Sequence, residues 1–303
     1  MKLKDPYLLH IFSPTKYVSP FDINMAYEAH YDAVIPYCNV TLEEIHALTQ
    51  DTIFSRSPEG VRRTGIFVGG RDFELAIEML EAARRAMVPP FAVSVLADPS
   101  GAITTAAAMV AMAEHWLHVK FSTDFAGKRV VIFGGTGPVG ACVGLLAARC
   151  AAQVYLVSNR GTEQAAQAAQ LIAQRFGCEL HGADGGSPAA LAKILDDAEV
   201  IFNTAKAGVR IVDLEALHKA RKLAVAVDAN AVPPTGIEGI KLKDNGAPLQ
   251  APSGGVGIGA LAVGDVKYRV HTGLLTRMYE SSVPIYLSFD EAFALARQIV
   301  AAR

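Results

Sequence analysis

A glycine-rich turn near the middle of the chain has the spacing that binds a dinucleotide. The apolar run Val130–Phe133 leads into Gly135-Thr136-Gly137-Pro138-Val139-Gly140, which reads G-x-G-x-x-G between a predicted strand and a predicted helix. In this pattern the first glycine allows a tight turn, the second lets the backbone approach a pyrophosphate, and the third lets helix and strand pack closely. A second predicted strand follows about 20 residues later, as the motif requires. We predict a dinucleotide site here, the alternative being a glycine-rich packing turn.

The end of that second strand predicts which nucleotide is preferred. Enzymes that favour NAD usually place Asp or Glu there to accept the ribose 2′-hydroxyl, but residues 141–162 contain no acid. The strand ends instead in Ser158, Asn159 and Arg160, and a guanidinium can pair bidentately with a 2′-phosphate or stack on the adenine. We predict NADP as the preferred cofactor, with NAD possible because nothing here repels it. The alternative for Arg160 is a solvated charge after a strand.

Other polar residues follow strands at positions where parallel sheets form ligand crevices. Asn203, Thr204 and Ala205 end a strand of the same half and are predicted to line the nicotinamide side, together with Asp228 and Asn230. Gly69, Gly70 and Asp72 follow a strand of the first half. His115 and His118 have a helical spacing that suits a metal, but no further ligand cluster accompanies them. We therefore predict no metal site and expect both histidines, with Trp116, at a packed helix surface.

Short strands alternate with longer helices along the whole chain. Thr41 and Glu44 form a capping-box signature that predicts a helix from Thr41, and Asp72–Met87 repeats apolar residues every three and four positions. The candidate strands are Tyr7–Phe12, Ala33–Tyr37, Gly65–Val68, Phe91–Leu96, Val130–Phe133, Gln153–Val157, Val200–Asn203 and Ala224–Val227. This alternation predicts an α/β protein with mainly parallel sheets. The second series, with its glycine motif, predicts a Rossmann-type nucleotide-binding domain.

The chain has 303 residues, and a guide of about 150 residues per domain favours two domains. A polar junction at Ser122, Thr123 and Asp124 follows a long helix that begins near Thr104. We predict an N-terminal α/β substrate domain over residues 1–123 and a Rossmann-type domain over 124–274. The tail from Lys267 looks helical with an interruption at 281–288, and residues 275–303 are expected to return to the first domain.

The composition excludes several classes of protein. Fifty-one per cent of the residues are apolar, 19% are charged and the formal net charge is −2, which is neither basic enough to track nucleic-acid phosphates nor polar enough for disorder. Charges interrupt the alanine-rich runs, and the N-terminus lacks a long apolar segment with a cleavage site, so we expect no membrane span and a cytoplasmic, unprocessed protein. The four scattered cysteines are expected to be small core residues in a reducing compartment.

Taken together, the motifs resemble the NAD(P)-dependent methylene-tetrahydromethanopterin dehydrogenases of methylotrophic bacteria, distant relatives of the methylene-tetrahydrofolate dehydrogenases. The resemblance runs from end to end and its motifs fall in one order. They are Pro20-Phe21-Asp22, Asn39-Val40-Thr41, Gly65 to Gly70 with Asp72, Asp98-x-x-Gly101-x-x-Thr104-Thr105-Ala106-Ala107, Gly134 to Gly140, Ala229 to Ile237, Gly257-Ile258-Gly259-Ala260, and Lys267-Tyr268-Arg269-Val270-His271.

The resemblance implies a hydride transfer from the one-carbon bridge of a reduced pterin to a nicotinamide, within the oxidation of formaldehyde. The bridge becomes a methenyl cation shared by two nitrogens, and no metal or flavin is implied. Members of the family are homo-oligomers, which we carry over as an expectation. The folate relatives that also hydrolyse the methenyl ring have a tyrosine four residues before a lysine; no tyrosine here has that spacing, so no cyclohydrolase activity is expected.

The resemblance also assigns residues to the pterin. Asp22 is the best candidate for a preorganised carboxylate beside the developing cation, with capping or helix-dipole complementarity as the alternative. Lys267 matches a family lysine at the mouth of the cleft, after a loop predicted at Gly254–Gly264. A protonated lysine beside the cation would oppose the reaction, so it is neutral, points at a pterin carbonyl or positions the substrate; otherwise it is a surface lysine at a helix start. The predicted substrate contacts are Gly69, Gly70, Asp98, Gly101, Thr104 and Thr105, the two threonines being helix caps in the alternative reading.

Two other functions remain open from the residues themselves. The same hydride transfer on methylene-tetrahydrofolate needs the same motifs, because the two pterins differ in ring methylation and tail. A nonenzymatic NADP-binding sensor would keep the glycine motif without turnover, whereas the motifs around Asp22 and Lys267 favour an enzyme.

Overall fold

The computed structural model describes residues 5–302, which form two compact units. Unit 1 takes residues 5–104 and 268–295, and unit 2 takes residues 105–267 and 296–302. Part of the C-terminal tail, residues 268–295, therefore belongs to unit 1. The boundaries predicted at 123–124 and 274–275 fall inside unit 2 and unit 1, respectively, and that domain assignment stays a prediction.

Unit 1 contains a sheet of five parallel strands in the order β12-β4-β3-β1-β2. The strands are β1 (Leu8–Phe12), β2 (Ala33–Tyr37), β3 (Thr64–Val68), β4 (Ser94–Ala97) and β12 (Tyr286–Leu287). Strand β2 lies on one side of β1, whereas β3 and then β4 lie on its other side, so the strand order reverses between β1 and β3. Open parallel sheets bind ligands at such a reversal of strand order, beyond the carboxyl ends of the strands, which here means beyond β1 and β3.

Helices cover this sheet, and their sequence signals explain where several begin. They are α1 (Pro20–Glu28), α2 (Ile45–Phe54), α3 (Pro58–Arg62) and α4 (Phe73–Ala86). Ser19 caps α1 by accepting a hydrogen bond from the Phe21 amide, and Asp72 caps α4 by accepting from two amides of its first turn. The apolar face of α4 buries Met79 in a core that includes Ile66 and Val95, confirming the amphipathic helix predicted there.

Unit 2 contains a seven-stranded sheet in the order β10-β11-β9-β8-β5-β6-β7, parallel except for the pair β10 and β11. The strands are β5 (Arg129–Phe133), β6 (Gln153–Ser158), β7 (Leu180–Asp184), β8 (Val200–Asn203), β9 (Val225–Asp228), β10 (Asn245–Pro248) and β11 (Val256–Ile258). Its order reverses between β5 and β8, as in dinucleotide-binding sheets. The predicted α/β class and Rossmann-type sheet are confirmed.

Each remaining helix either belongs to unit 2 or contains residues assigned to both units. Those within unit 2 are α6 (Pro138–Arg149), α7 (Thr162–Phe176), α8 (Pro188–Asp196) and α9 (Leu214–Leu217), and those that cross are α5 (Ala102–Phe121), α10 (Ala260–Glu280) and α11 (Phe289–Ala301). Strands β8 and β9 are buried along their whole length, which is why they appear as continuous apolar runs in the sequence.

Three local predictions were wrong. The Glu44 carboxylate does accept from the Thr41 amide, but residues 42–44 form a turn and α2 starts at Ile45, the first residue after Val40 that is buried in the core. The strand predicted from Phe91 starts at Ser94. The loop predicted over Gly254–Gly264 contains β11 and the start of α10 instead, because Val256 and Ile258 are buried beside β9.

The smaller predictions had mixed outcomes. Cys142 is fully buried, but Cys38 is exposed, so it is not the core residue that was predicted. Trp116 packs edge-on against His115 and donates to Asn245 from its indole nitrogen at 2.9 Å, while His118 is exposed.

Between residues 5 and 302 no three His, Cys, Asp or Glu side chains are grouped as metal ligands would be. Across the same residues, every helix is too short or too polar to span a bilayer.

Candidate active site

The glycine motif of unit 2 lies where the strand order reverses. The chain leaves β5 at Phe133, turns through Gly134 to Gly137, and enters α6 at Pro138. Gly134 has a φ of +72°, the left-handed region that favours glycine. The tight turn therefore depends on Gly134 rather than on Gly135, to which the sequence pattern assigned it.

Close packing explains the last glycine of the motif. A Cβ atom on Gly140 would overlap the Gly134 carbonyl oxygen and would lie 2.7 Å from Thr204 Oγ1. Without that carbon, the first turn of α6 can sit directly over the turn that follows β5. The backbone amides at the start of this 12-residue helix suit an anion, so this cradle fits the pyrophosphate of a dinucleotide.

Substituting Gly140 by alanine is expected to weaken nucleotide binding about tenfold, because the added methyl group must displace the turn that approaches the pyrophosphate. Binding of NADP is measured by calorimetry, with Gly264→Ala as the control, since a Cβ on Gly264 meets nothing within 4 Å. Unchanged affinity in the Gly140 variant would contradict the assignment of this turn.

The residues predicted to select the nucleotide follow β6. The Ser158 hydroxyl donates to Gln164 at 2.8 Å and accepts from the Arg160 amide at 3.1 Å, so it shapes the turn. Asn159 and Arg160 are exposed beyond it. An acid does lie near this turn: Asp184, outside the stretch 141–162 where an acid was expected, ends the neighbouring strand β7 directly opposite Ser158. Only strand pairing brings this carboxylate to the edge of the sheet where the adenosine half is expected.

Three of the predicted nicotinamide-side residues form a buried network at the ends of β8 and β9. The Asp228 carboxylate accepts from Asn203 Nδ2 at 2.7 Å and from the amides of Asn230 and Ile237 at 3.0 and 2.9 Å. The Asn230 side chain in turn accepts from the Gly208 amide and donates to the Pro234 carbonyl. These polar groups are committed to holding loops, and the half-buried Thr204 beside them donates its hydroxyl to the Phe133 carbonyl at 2.9 Å, at the start of the glycine turn.

In unit 1, Asp22 lies beyond the carboxyl ends of β1 and β3. It is in the first turn of α1, as predicted, and is only 4% exposed. Its Oδ2 lies 3.4 Å from the point where a Cβ would stand on Gly69, so the carboxylate approaches the backbone that follows β3. Because Ser19 makes the capping hydrogen bond of α1, Asp22 is not the N-cap residue. Unit 1 thus holds a nearly buried acid where its sheet order reverses.

Asp98, predicted to contact substrate, is fully buried and joins β4, α5 and α10. Its Oδ1 accepts from the amides of Ile103 and Thr104 at 2.9 and 3.1 Å, and its Oδ2 accepts from the Thr104 hydroxyl at 2.6 Å. Oδ2 also pairs with Nδ1 of His271 at 2.9 Å. Burial alone would raise the pKa of Asp98, but the hydrogen bonds and charge of His271, together with Thr104, hold it below its ordinary value. The carboxylate is therefore ionised, and the His271 nitrogen donates to it.

The depressed pKa of Asp98 predicts a specific loss of stability in acid. The ionised form stabilises the fold above the unfolded-state pKa of about 4, and this contribution is lost as the pH falls through the lower folded-state value. Asp98→Asn should therefore show a shallower loss of unfolding free energy below about pH 4 than the parent chain. Circular dichroism is the suitable probe, because the one tryptophan, Trp116, lies in unit 2. Asp51→Asn, at an exposed site on α2, should keep the parental slope.

The structure groups the predicted site residues by unit. Asp22, Gly69, Gly70, Asp98, Gly101 and Thr104 belong to unit 1, whereas Thr105, Lys267 and the predicted cofactor residues belong to unit 2. Lys267 is half-buried and lies well inside α10, not at a helix start as one reading supposed. His271 lies four residues after Lys267 on the same helix, and no sequence signal predicted a role for it.

Comparisons with known proteins identify the family. Residues 20–100 match the family model described as the N-terminal part of methylene-tetrahydromethanopterin dehydrogenase. The chain is 46% identical over 293 residues to the NAD(P)-dependent methylenetetrahydromethanopterin dehydrogenase of Methylorubrum extorquens, covering 96% of this chain and 98% of that protein. This chain belongs to the NAD(P)-dependent methylenetetrahydromethanopterin dehydrogenase family. Asp22, Gly69, Gly70 and Asp98 all lie within the segment that the family model matches.

Other matches are more distant. The bifunctional protein MdtA of the same organism is 31% identical over 96% of this dehydrogenase chain and 98% of its own length. Among solved structures, a putative malic enzyme superposes with a TM-score of 0.62 at 12% identity, covering 99% of this chain and 79% of its own. Shikimate 5-dehydrogenase from Listeria monocytogenes gives 0.51 at 13% identity, covering 97% and 96%. Both likenesses concern the α/β fold alone.

Proposed function

We propose that this chain oxidises the one-carbon bridge of methylene-tetrahydromethanopterin with NADP or NAD. The proposal rests on the 46% sequence identity, over 96% of this chain, to a dehydrogenase of that name. Two features of the site agree with it: a glycine cradle at the start of α6 that suits a pyrophosphate, and an acid at the strand-order reversal of unit 1.

The reaction sets clear demands on the protein. A hydride leaves the methylene carbon and the nicotinamide ring, when bound, accepts it; no proton is released and no general base is needed. Rate enhancement must come from bringing the two carbons to contact distance and excluding water. The product is a cation shared by two pterin nitrogens, so a preorganised negative charge beside it lowers the barrier.

Asp22 is our candidate for that charge. Its low exposure keeps its field from being screened by water, and its place in the first turn of α1 holds it in one position before the substrate arrives. Gly69 beside it presents no side chain; a Cβ there would contact Asp22 Oδ2 at 3.4 Å and Phe67 at 3.6 Å, so the carboxylate lies against the backbone that follows β3. We propose Gly69, Gly70 and the turn around Gly101 as the pterin-facing backbone.

We assign Lys267 to substrate orientation. A cationic amine next to a forming cation would raise the barrier, so the ammonium is expected to donate to a pterin carbonyl and not to approach the reacting carbon. Lys267→Met should raise the KM for the pterin more than it lowers kcat. If instead kcat falls with KM unchanged, the lysine acts on the transition state.

We propose a preference for NADP over NAD, based on Arg160. Its exposed guanidinium follows the strand that should lie beside the adenosine ribose, and guanidinium groups pair well with phosphate. Asp184, in register with Ser158 on the neighbouring strand, is placed to accept the ribose hydroxyls of NAD. An acid and an arginine at one edge suit an enzyme that uses both nucleotides.

The test of this function is an activity matrix. The purified full chain is mixed with methylene-tetrahydromethanopterin or methylene-tetrahydrofolate, each with NADP or NAD, and reduced nicotinamide is followed by absorbance. Turnover with the methanopterin is the expected result. Turnover with the folate alone would keep the chemistry and change the substrate, and nucleotide binding without turnover in all four mixtures would identify a sensor. Sedimentation of the same sample tests the expected homo-oligomer.

A further inference from the structure

The most unusual polar group outside the proposed reaction is His271. It is fully buried in unit 1, on α10, and its Nδ1 is paired with Asp98. Its other nitrogen, Nε2, is buried and has no hydrogen-bond partner among residues 5–302. A buried polar atom without a partner costs free energy, and an apolar side chain at this position would avoid that cost. Something other than packing must therefore account for the imidazole.

Asp98, the partner of His271, organises a strained turn. The chain turns through Pro99–Gly101 between β4 and α5, and Ser100 adopts a φ of +54°, which a residue with a side chain rarely does. Such a conformation persists only where surrounding contacts impose it. Two contacts impose the conformation of this turn. The Asp98 carboxylate accepts hydrogen bonds from two amides in the first turn of α5. The Ser100 hydroxyl donates to the Gly70 carbonyl at 2.8 Å.

His271 also contacts the segment that carries Asp22. The Phe21 ring lies edge-on to the imidazole at 5.6 Å, and the Phe67 ring at the end of β3 lies 5.7 Å away. Phe21 precedes Asp22 in α1, and Phe67 is within 3.6 Å of the position where a Gly69 Cβ would stand. One imidazole therefore contacts both the helix that carries the proposed catalytic acid and the strand end that faces it.

We propose that His271 is a positioning residue for the pterin site, which through Asp98 fixes the Ser100–Gly101 turn and through Phe21 fixes Asp22. The inference rests on the proposed function for its kinetic consequence. It assigns Asp98 and Thr104 to holding the turn, in place of the direct pterin contacts predicted for them, because Asp98 is fully buried and its oxygens already accept from the protein.

Two substitutions separate positioning from packing. His271→Leu removes the hydrogen bond to Asp98, while His271→Asn keeps an amide donor near the position of Nδ1. The leucine variant should lower kcat/KM for the pterin at least about tenfold, since a small displacement of a positioned group is costly, with the KM for the nucleotide unchanged. The asparagine variant should recover most of the loss. Thr104→Val removes the 2.6 Å bond to Asp98 and the longer 3.4 Å bond to the Gly101 carbonyl of the same turn, and it is a milder second probe if the leucine variant folds poorly.

The matched control is Ser94→Ala. The Ser94 hydroxyl is buried in unit 1 and donates to the Met278 carbonyl on the same helix α10 at 2.9 Å, away from the turn. Its loss should lower the melting temperature and leave the kinetic constants unchanged. If His271→Leu and His271→Asn lose activity equally, in step with their melting temperatures, the role of His271 is structural and the inference is wrong.

Amide hydrogen exchange gives a readout that does not require turnover. Peptides covering residues 19–28 and 98–104 should exchange faster in His271→Leu than in the parent chain, and His271→Asn should restore protection, while Ser94→Ala leaves both peptides unchanged. Equal exchange in all four proteins would overturn the positioning role even if the parent enzyme proved inactive on the methanopterin. Faster exchange in His271→Leu than in a parent chain that is inactive on the methanopterin would instead keep the structural link and refute the proposed function.

Discussion

Replacing Asp22 by asparagine is expected to lower kcat about 100-fold, the range observed when one preorganised electrostatic group is removed from a reacting centre. Asparagine keeps the shape of the side chain and loses its charge, so the pterin should still bind while the forming cation loses its counter-charge. The KM for NADP should not change, because the glycine cradle lies in unit 2. Steady-state kinetics with each substrate varied in turn measures all three quantities.

The control distinguishes this effect from a general property of helix starts. Glu74 occupies the first turn of α4 in the same unit, so Glu74→Gln removes an equivalent helix-dipole interaction, worth about 0.3–1 kcal/mol of stability. It should leave kcat unchanged. If Asp22→Asn loses no more activity than Glu74→Gln, the acid serves only α1, and the counter-charge must be sought elsewhere.

Replacing Arg160 by alanine is expected to raise the KM for NADP about 30-fold and to change the KM for NAD less than about twofold. Loss of a hydrogen bond to a charged group costs about 2 kcal/mol, and only NADP carries the 2′-phosphate that the guanidinium would pair with. The ratio of kcat/KM values for the two nucleotides measures this selectivity directly, since any general damage to the domain affects both.

Two further variants test the geometry of this contact. Arg160→Lys keeps the charge without the planar fork, so it should recover only part of the NADP selectivity. Arg175→Ala, at the opposite end of α7 from Arg160, removes the same charge from unit 2 and should alter neither KM. A parallel rise in both KM values for Arg160→Ala would mean that the arginine shapes the turn and does not contact the phosphate.

Local patterns in the sequence were sufficient to predict most of the helices and strands and the glycine turn of the nucleotide site. The buried strands of unit 2 are continuous apolar runs, the N-terminal cap of α4 is a single Asp72, and the glycine motif is recognised by the spacing of its glycines between a strand and a helix. The sequence signals for these features are short-range, because apolar runs, helix caps and tight turns each involve residues within a few positions of one another. Where local signals conflicted, as at Thr41 and in the glycine-rich stretch before α10, burial of Ile45 and Ile258 decided the element boundaries.

What only the tertiary structure decided is which side chains are committed to one another. Asp98 and His271 are 173 positions apart, and nothing in the spacing of either residue indicates that they form a buried pair. The same holds for Asp184, which comes opposite Ser158 through strand pairing, and for Asn203 and Asp228, joined across neighbouring strands. A sequence shows which residues are chemically able to bind a ligand, but hydrogen-bonding capacity is finite, and only the folded chain shows where it has already been used.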